Sequence, residues 1–288
     1  MNSIQELLVK GKKLLEENNL PEIEARLILE KILSLPQEKI FTQVEKSVSP
    51  KHEKEYFRLI SDRIKGVPLQ YLLGFQWFWS LKFKVNLNVS IPRPETELAV
   101  EKTLEICSQE EKIIIVDLGT GCGNIALSLA KALPQSQVIA IDISKEALKI
   151  AKINAKNHKL RNVKFFRGDL FSPLEKLNLI QKINVIVSNP PYVSEREWQK
   201  LPAEIQEYEP KQALVSGESG LEIIKRIIEE SPKYLKAKGF LILEIGDKQK
   251  NRVKNLFNTQ WQDIEIFSDL NDLPRVVKAQ IIKPNNLE

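Results

Sequence analysis

Cysteine and histidine are nearly missing from this 288-residue chain, which has two of each. Cys107 and Cys122 give no disulfide framework, and with His52 and His158 they give no metal-ligand spacing. A metal-free protein of a reducing, cytoplasmic compartment is expected. No apolar run approaches the ~20 residues of a membrane span, and Met1 to Lys10 lacks the basic segment and apolar core of a secretion signal. No membrane partner is expected. A dense basic block is also absent. Residues 1–90 hold 14 Lys/Arg against 11 Asp/Glu, and the signs alternate along most of the chain. Such charges read as solvated helix faces. The net charge of +5 permits a nucleic-acid partner without requiring one, and stable nucleic-acid binding is not expected. There is no internal repeat and no low-complexity segment. What is present is 42% hydrophobic residues and 28% charged ones, enough for a real core in one large or two smaller domains.

The most informative segment is Asn189-Pro190-Pro191-Tyr192, at the end of the apolar run Ile183 to Val187. It offers two acceptors, the Asn189 side-chain carbonyl and an adjacent main-chain carbonyl, with an aromatic face beside them. Both prolines fix φ and donate no N–H. Such a clamp suits a planar –NH2 group, which has two N–H donors and a flat face. An amide nitrogen is a poor nucleophile, and holding both its N–H bonds can aim its lone pair at an electrophile. The plain alternative is a strand-end turn, where Asn-Pro and Pro-Pro are ordinary punctuation.

The chain opens with helical periodicity. Ile4, Leu7, Leu8, Leu14 and Leu15 share a face, and a second helix after Pro21 places Ile23, Leu27, Ile28, Ile32 and Leu33. A third runs near 51–65 and stops at Gly66 and Pro68. The period then becomes two, from Phe75 through Trp77, Trp79, Leu81, Phe83, Val85 and Leu87 to Val89, which predicts a hairpin or bent ribbon whose aromatic stripe packs in the core rather than forming a ligand box. Pro92 and Pro94 make a rigid segment around Arg93, and Glu95 and Glu97 are placed to cap or charge the helix after it. From Glu111 onward strands and helices alternate. Strands are expected at 113–118, 137–143, 163–169, 183–188, 240–245, 264–267 and 275–282, with helices at 125–133, 145–159 and 221–235. This order predicts an α/β fold with a mostly parallel seven-stranded sheet covered on both faces.

Asp117-Leu118-Gly119-Thr120-Gly121-Cys122-Gly123-Asn124 follows the first of these strands and opens its helix. Glycines let a ligand approach the backbone. Asp142 ends the second strand, where a carboxylate can take both ribose hydroxyls. Asp169 ends the third, where one could accept from an adenine amino group. Two nucleoside cofactors fit this spacing. An NAD loop reads G-x-G-x-x-G with a pyrophosphate at the helix N-terminus. Here the third glycine comes one position early, and Asp117 would repel a pyrophosphate but attract the cationic amino acid end of S-adenosylmethionine. A glycine loop with no ligand is the remaining alternative.

Together these motifs resemble the class I methyltransferases that act on planar amino groups, and within them the release factor glutamine methyltransferases, the HemK/PrmC family. The resemblance extends to 63–74, to Ile91-Pro92-Arg93-Pro94-Glu95-Thr96-Glu97, to Glu209-Pro210, Gly217, Gly220-Leu221, Glu244-Ile245-Gly246, Gln249 and Arg275-Val276-Val277. It implies a Rossmann-like methyltransferase domain over 93–288, a helical partner-docking domain over 1–74 and a β-hairpin linker over 75–92. It also implies S-adenosylmethionine as cofactor, held by Asp117, Gly119, Thr120, Gly121, Cys122, Gly123, Asp142, Asp169, Leu170 and Asn189. Leu170 stands where some members carry a larger aromatic residue, and 271–275 departs from a more glycine-containing form. The implied substrate is the glutamine of the Gly-Gly-Gln loop of class 1 peptide chain release factors, with N5-methylglutamine as product. Asn189 and Pro190 would accept its two N–H bonds, Pro191 would stiffen the clamp, and Tyr192 would stack on the amide.

No strong general base is evident in the motifs. An N6-adenine or N4-cytosine DNA methyltransferase presents the same planar amine, yet a base must be flipped from its duplex by DNA-gripping elements. The 96 residues after Tyr192 are largely used by the sheet. A glutamine methyltransferase of a ribosomal protein shares the chemistry. A non-catalytic nucleoside- or RNA-binding module is the alternative from another class. A monomer is expected.

Overall fold

A computed structural model describes residues 1–107 and 112–282. Glu111, from which the alternating pattern was counted, lies outside the described residues. The chain divides into two compact units. One holds Met1–Phe75 together with Pro202–Tyr208, and the other holds Gln76–Leu201 and the chain from Glu209 onward.

The first unit is helical. Its N-terminal part contains α1 (Ile4–Glu16), α2 (Ile23–Leu33), α3 (Gln37–Thr42), α4 (Pro50–Ile64) and α5 (Leu69–Leu73). Ser3 caps α1 in a reciprocal capping box with Glu6, and Ser49 caps α4 ahead of Pro50. Leu7, Leu15, Ile28, Leu29, Ile40, Tyr56 and Ile60 form its core. The short α3 and α5 have too few turns to show a period. Arg63 is buried in this unit, with Nε 2.6 Å from Glu24 and a second carboxylate, Glu204, 3.2 Å from Nη1. Glu204 belongs to the Pro202–Tyr208 segment, 141 residues away in sequence.

The second unit opens at Gln76, one residue into the hairpin of β1 (Phe75–Phe78) and β2 (Leu81–Lys84). Trp79 and Ser80 form its turn, both with positive φ. This turn interrupts the expected alternation. Phe78, Leu81, Phe83, Val85 and Val89 are buried, while Trp77 and Leu87 face solvent. The continuous aromatic stripe from 75 to 79 is therefore not a core face. Asn154 ties the hairpin inward, accepting the Lys84 N–H at 2.7 Å and donating to the Cys122 carbonyl at 2.9 Å.

Next come α6 (Glu97–Cys107), β3 (Ile114–Leu118), α7 (Asn124–Ala132), β4 (Gln137–Asp142), α8 (Lys145–Asn157), β5 (Val163–Arg167) and β6 (Ile183–Ser188). The remaining elements are α9 (Glu195–Trp198), α10 (Ala203–Tyr208, in the first unit), α11 (Lys211–Leu214), α12 (Glu222–Glu230), β7 (Leu235–Glu244), α13 (Lys250–Lys254), β8 (Trp261–Ser268) and β9 (Pro274–Ile281). The seven-stranded sheet runs β5-β4-β3-β6-β7-β9-β8. It is parallel up to β7, and β9 pairs antiparallel with both β7 and β8. The central strands are mostly apolar because both faces are covered. Val116, Leu118, Ile139, Ile141, Ile186, Leu241 and Leu243 form the core.

This order fixes the site. From β3 the chain winds outward through β4 and β5, then returns to lay β6 on the other side of β3. Such a reversal opens a crevice at the carboxyl ends of the two strands. Leu118 and Ser188 are register partners there, and the Ser188 hydroxyl donates to the Leu118 carbonyl at 2.7 Å. The glycine loop and the Asn-Pro-Pro-Tyr turn thus leave the sheet side by side.

Candidate active site

A cleft of about 260 Å3 lies at this crevice, lined among others by Gly119, Gly121, Asp142, Ile143, Asp169, Leu170, Asn189 and Pro191. A second, smaller cavity of about 100 Å3 is lined by Arg93, Glu95, Asn189, Pro190, Tyr192 and Glu209 among others. Asn189 belongs to both walls, together with Ser90 and Ala213, so the two cavities adjoin at this residue.

Gly119 and Gly121 have φ of +71° and +55°, the left-handed region that costs glycine little. Their backbone forms part of the cleft wall. Asp117, Thr120, Cys122 and Gly123 do not line it, and all four are buried. Asp117 Oδ2 accepts from the Thr120 hydroxyl at 2.7 Å and the Ala126 N–H at 3.2 Å, bracing the loop from beneath. Its Oδ1 is buried with no hydrogen-bond partner among the described residues. Burial pushes the Asp117 carboxyl up to about 7, against the Thr120 and Ala126 hydrogen bonds. Burial likewise pushes the Cys122 thiol up to about 12, which leaves it a packing residue.

Asp142 stands at the end of β4 as expected. Its two oxygens accept the Gly121 and Ser144 N–H groups, both at 2.8 Å, and burial raises its pKa against those two bonds. Each oxygen keeps a lone pair for a hydroxyl donor. Asp169 lines the cleft beside Leu170. It is exposed, and both its oxygens take Arg226 of α12, at 3.3 and 3.0 Å. Each Asp169 oxygen keeps a lone pair beside its bond to this guanidinium, which comes from 57 residues further on. Leu170 lines the cleft with φ of +44°, a sparsely populated conformation for a leucine. Ile143, one residue past Asp142, adds an apolar side chain to the same cleft.

The tetrapeptide is held from several directions. Asn189 Nδ2 donates to the buried Thr96 hydroxyl at 3.1 Å. The Tyr192 hydroxyl donates to Glu244 at 3.2 Å, and the Tyr192 carbonyl accepts from Gln249 Nε2 at 2.8 Å. Glu244 ends β7 and is fully buried. Burial raises its carboxyl to about 7, opposed by the Thr96 hydroxyl, the Arg275 charge and the Tyr192 hydroxyl, with Glu95 adding to the rise. Burial raises the Tyr192 phenol as well, with the Glu244 charge adding to it. A carbon added at Gly220 would come within 2.5 Å of the Tyr192 carbonyl. Arg93 pairs with the buried Glu209, which also accepts the Ile91 N–H at 3.2 Å. Glu97 accepts the Trp79 N–H at 2.7 Å, so it fastens the hairpin turn to the first turn of α6. Thr96, Glu244, Gln249 and Arg226 are the residues that sequence reasoning gave no role. Three of them fall inside segments that carried the resemblance, but nothing in linear spacing pairs Thr96 with Asn189.

The cleft suits S-adenosylmethionine. An unpartnered buried carboxylate oxygen lies under the glycine loop, an acid with free lone pairs ends β4, and apolar Ile143 and Leu170 line the same wall. Among the described residues no group of His, Cys, Asp and Glu is arranged to hold a metal ion, and no helix is long and apolar enough to cross a membrane.

Comparison with known proteins agrees with this geometry. Residues 109–277 match the methyltransferase domain family and residues 6–74 the PrmC N-terminal domain. The release factor glutamine methyltransferase of Bacillus subtilis strain 168 is 37% identical over 290 residues, covering 98% of this chain and 99% of the relative. That of Bacillus cereus is 35% identical over 283 residues, covering 96% and 99%. Among solved structures, a methyltransferase from Pyrococcus furiosus has a TM-score of 0.50 at 18% identity, over 70% of this chain and 89% of that one. The hMettl16 catalytic domain in complex with MAT2A 3'UTR hairpin 6 has 0.53 at 15%, over 83% and 84%. These two likenesses show the fold alone. At 35–37% identity over nearly the full length of its relatives, the chain belongs to the release factor glutamine methyltransferase family.

Proposed function

We propose that this chain transfers a methyl group to the side-chain amide nitrogen of the glutamine in the Gly-Gly-Gln loop of a class 1 peptide chain release factor. The observation that carries the reading is the position of Asn189, on the wall shared by the two cavities. When bound, S-adenosylmethionine supplies an electrophilic methyl group on a positively charged sulfur. The larger cleft would hold it through the Gly119 and Gly121 backbone, Asp142 and the Asp169-Leu170 segment, with Asp117 charged beneath the loop. The smaller cavity admits a slender, polar side chain.

Asn189 Oδ1 and the Pro190 carbonyl are the two acceptors for the substrate N–H bonds. With Nδ2 committed to Thr96, the oxygen of Asn189 is the end left for the substrate. Tyr192 offers its ring to the flat amide, and its hydroxyl is tethered to Glu244. Holding a weak nucleophile in line is mainly an orientation effect, which supplies ~7–11 kcal/mol. The prolines support it, because they fix the carbonyls without adding competing donors. The helical unit is proposed to dock the body of the release factor, since the small cavity has room for little more than one side chain.

The test is incubation with S-adenosylmethionine and an unmodified class 1 release factor, followed by mass spectrometry of the Gly-Gly-Gln peptide. A gain of one methyl group on glutamine is the expected result. An unchanged peptide, with methyl transfer to duplex DNA or to a ribosomal protein instead, overturns the assignment.

A further inference from the structure

Thr96 sits at the end of the 3-10 turn Pro94–Thr96, immediately before α6, and is 1% exposed. Its Oγ1 accepts the Asn189 Nδ2–H at 3.1 Å across 93 residues of sequence. A carboxamide has a donor end and an acceptor end of nearly equal size. Half a turn about its last torsion would present N–H groups to the substrate amide, which itself brings only donors at that nitrogen. Donor would then meet donor, and the clamp would repel what it must hold. A fixed acceptor at the back of Asn189 prevents that turn.

Thr96 can serve as that acceptor only if its own proton points elsewhere. A hydroxyl has one proton and two lone pairs. Thr96 and Glu244 are both buried, and the Thr96 hydroxyl favours the ionised form of Glu244. Glu244 Oε1 accepts the Tyr192 hydroxyl at 3.2 Å, while Oε2 is buried with no hydrogen-bond partner among the described residues, an acceptor open to the Thr96 proton. Once ionised, the buried carboxylate draws the Thr96 proton toward itself and leaves a lone pair for Asn189. One carboxyl group thus steadies both ends of Asn189–Tyr192, directly at Tyr192 and through Thr96 at Asn189.

Resting on the glutamine-methyltransferase reading, we infer that Thr96 is a positioning residue, which fixes the Asn189 carboxamide with its oxygen toward the substrate, and that Glu244 sets the direction of the Thr96 hydroxyl. Neither residue touches the substrate nitrogen. The loss of either therefore alters the rate of transfer more than the binding of either ligand.

Three variants of the full-length protein test this. Thr96→Val keeps the shape and removes the hydroxyl. It is expected to lower kcat about tenfold, the worth of one hydrogen bond, with the KM for release factor and the affinity for cofactor nearly unchanged. Thr96→Ser restores the hydroxyl and is expected to recover most of the lost rate. Nuclear magnetic resonance supplies a readout independent of turnover. The Asn189 side-chain N–H pair is expected to exchange slowly with solvent in the parent and in Thr96→Ser, and rapidly in Thr96→Val and Glu244→Gln. Parent-like kcat and parent-like exchange in Thr96→Val overturn the role of Thr96, and slow exchange in Glu244→Gln removes Glu244 from it. If the parent moves no methyl group to a release factor, the functional assignment fails, and the exchange measurement still decides whether Thr96 fixes Asn189.

Discussion

Asp142 accepts the Gly121 N–H through one carboxylate oxygen and the Ser144 N–H through the other, both at 2.8 Å. The acid after β4 and the glycine loop after β3 are therefore one hydrogen-bonded unit. Removing the carboxylate frees the loop and deletes the acceptor offered to a ribose.

Asp142→Ala is accordingly expected to weaken S-adenosylmethionine binding about ten- to a hundredfold, since a hydrogen bond to a charged group is worth ~1.5–3 kcal/mol. Asp142→Asn should fall between parent and alanine, because its oxygen retains one of the two backbone bonds. Titration calorimetry on the three proteins measures this. Equal affinities would remove Asp142 from the binding site.

Asp117 gives the pH dependence. Burial holds its folded-state pKa at about 7, above the ordinary 3.8. Between those values the native protein keeps a proton that the unfolded chain has released. The stability of the ligand-free protein therefore falls as pH rises from about 4 to about 7, and this contribution is flat above. A cationic amino group over the loop favours the ionised form. Cofactor binding should then release a proton at about pH 6, and affinity should rise with pH until about 7. Calorimetry in buffers of differing ionisation enthalpy counts that proton, and Asp117→Asn is expected to abolish it. Proton uptake on binding would contradict the assignment.

The parts of this molecule that are local in sequence were legible there. Apolar strands ending at Leu118, Asp142 and Ser188, the helices between them and the number of strands follow from periodicity, but the helix expected over 221–235 ends at Glu230 and β7 begins at Leu235, ahead of the expected 240. The meeting of the glycine loop with Asn189 was implied only by the resemblance, because the reversal of strand order that places both at one crevice leaves no mark in local periodicity. Long-range pairing was not legible. Arg226 takes the Asp169 carboxylate from 57 residues away, and Thr96 takes the Asn189 amide from 93. The Trp79-Ser80 turn shifted the hairpin's burial parity because a two-residue reversal is invisible to a period-two count. Pro202–Tyr208 belongs with the helical unit through Arg63, an ion pair that composition cannot foresee.

That ion pair sets a stability prediction. The Arg63 and Glu24 side chains are 8% and 9% exposed, and Glu204 shares the guanidinium. Truncating the arginine leaves Glu24 charged and buried. Removing one partner of a buried pair costs ~3–5 kcal/mol, so Arg63→Ala should destabilise the helical unit by about that amount. Faster amide exchange in α1, α2 and α4, with β3, β4 and β6 unchanged, is the expected pattern. Equal loss of protection in the sheet would show that the pair stabilises the whole chain instead.

Asn189 carries the reading of the chemistry. Asn189→Ala deletes one acceptor for the substrate amide and leaves Pro190, Pro191 and Tyr192 in place, with Tyr192 still tethered by Glu244 and Gln249. Most of the cleft wall is unchanged, so cofactor affinity should stay within a few-fold of the parent. By analogy with deleting an oxyanion-hole donor, ~2.7–4 kcal/mol of transition-state stabilisation is lost, which slows transfer ~10²–10³-fold. Asn189→Asp is expected to lie between the two. It keeps an acceptor for the substrate but gives up the N–H that Thr96 receives, and it brings a second carboxylate close to the one at Glu244. The repulsion between them favours turning the aspartate toward the Thr96 hydroxyl and away from the substrate. Single-turnover measurements with saturating cofactor separate these steps. Transfer to glutamine at the parent rate in Asn189→Ala would mean that the amide is held by other groups.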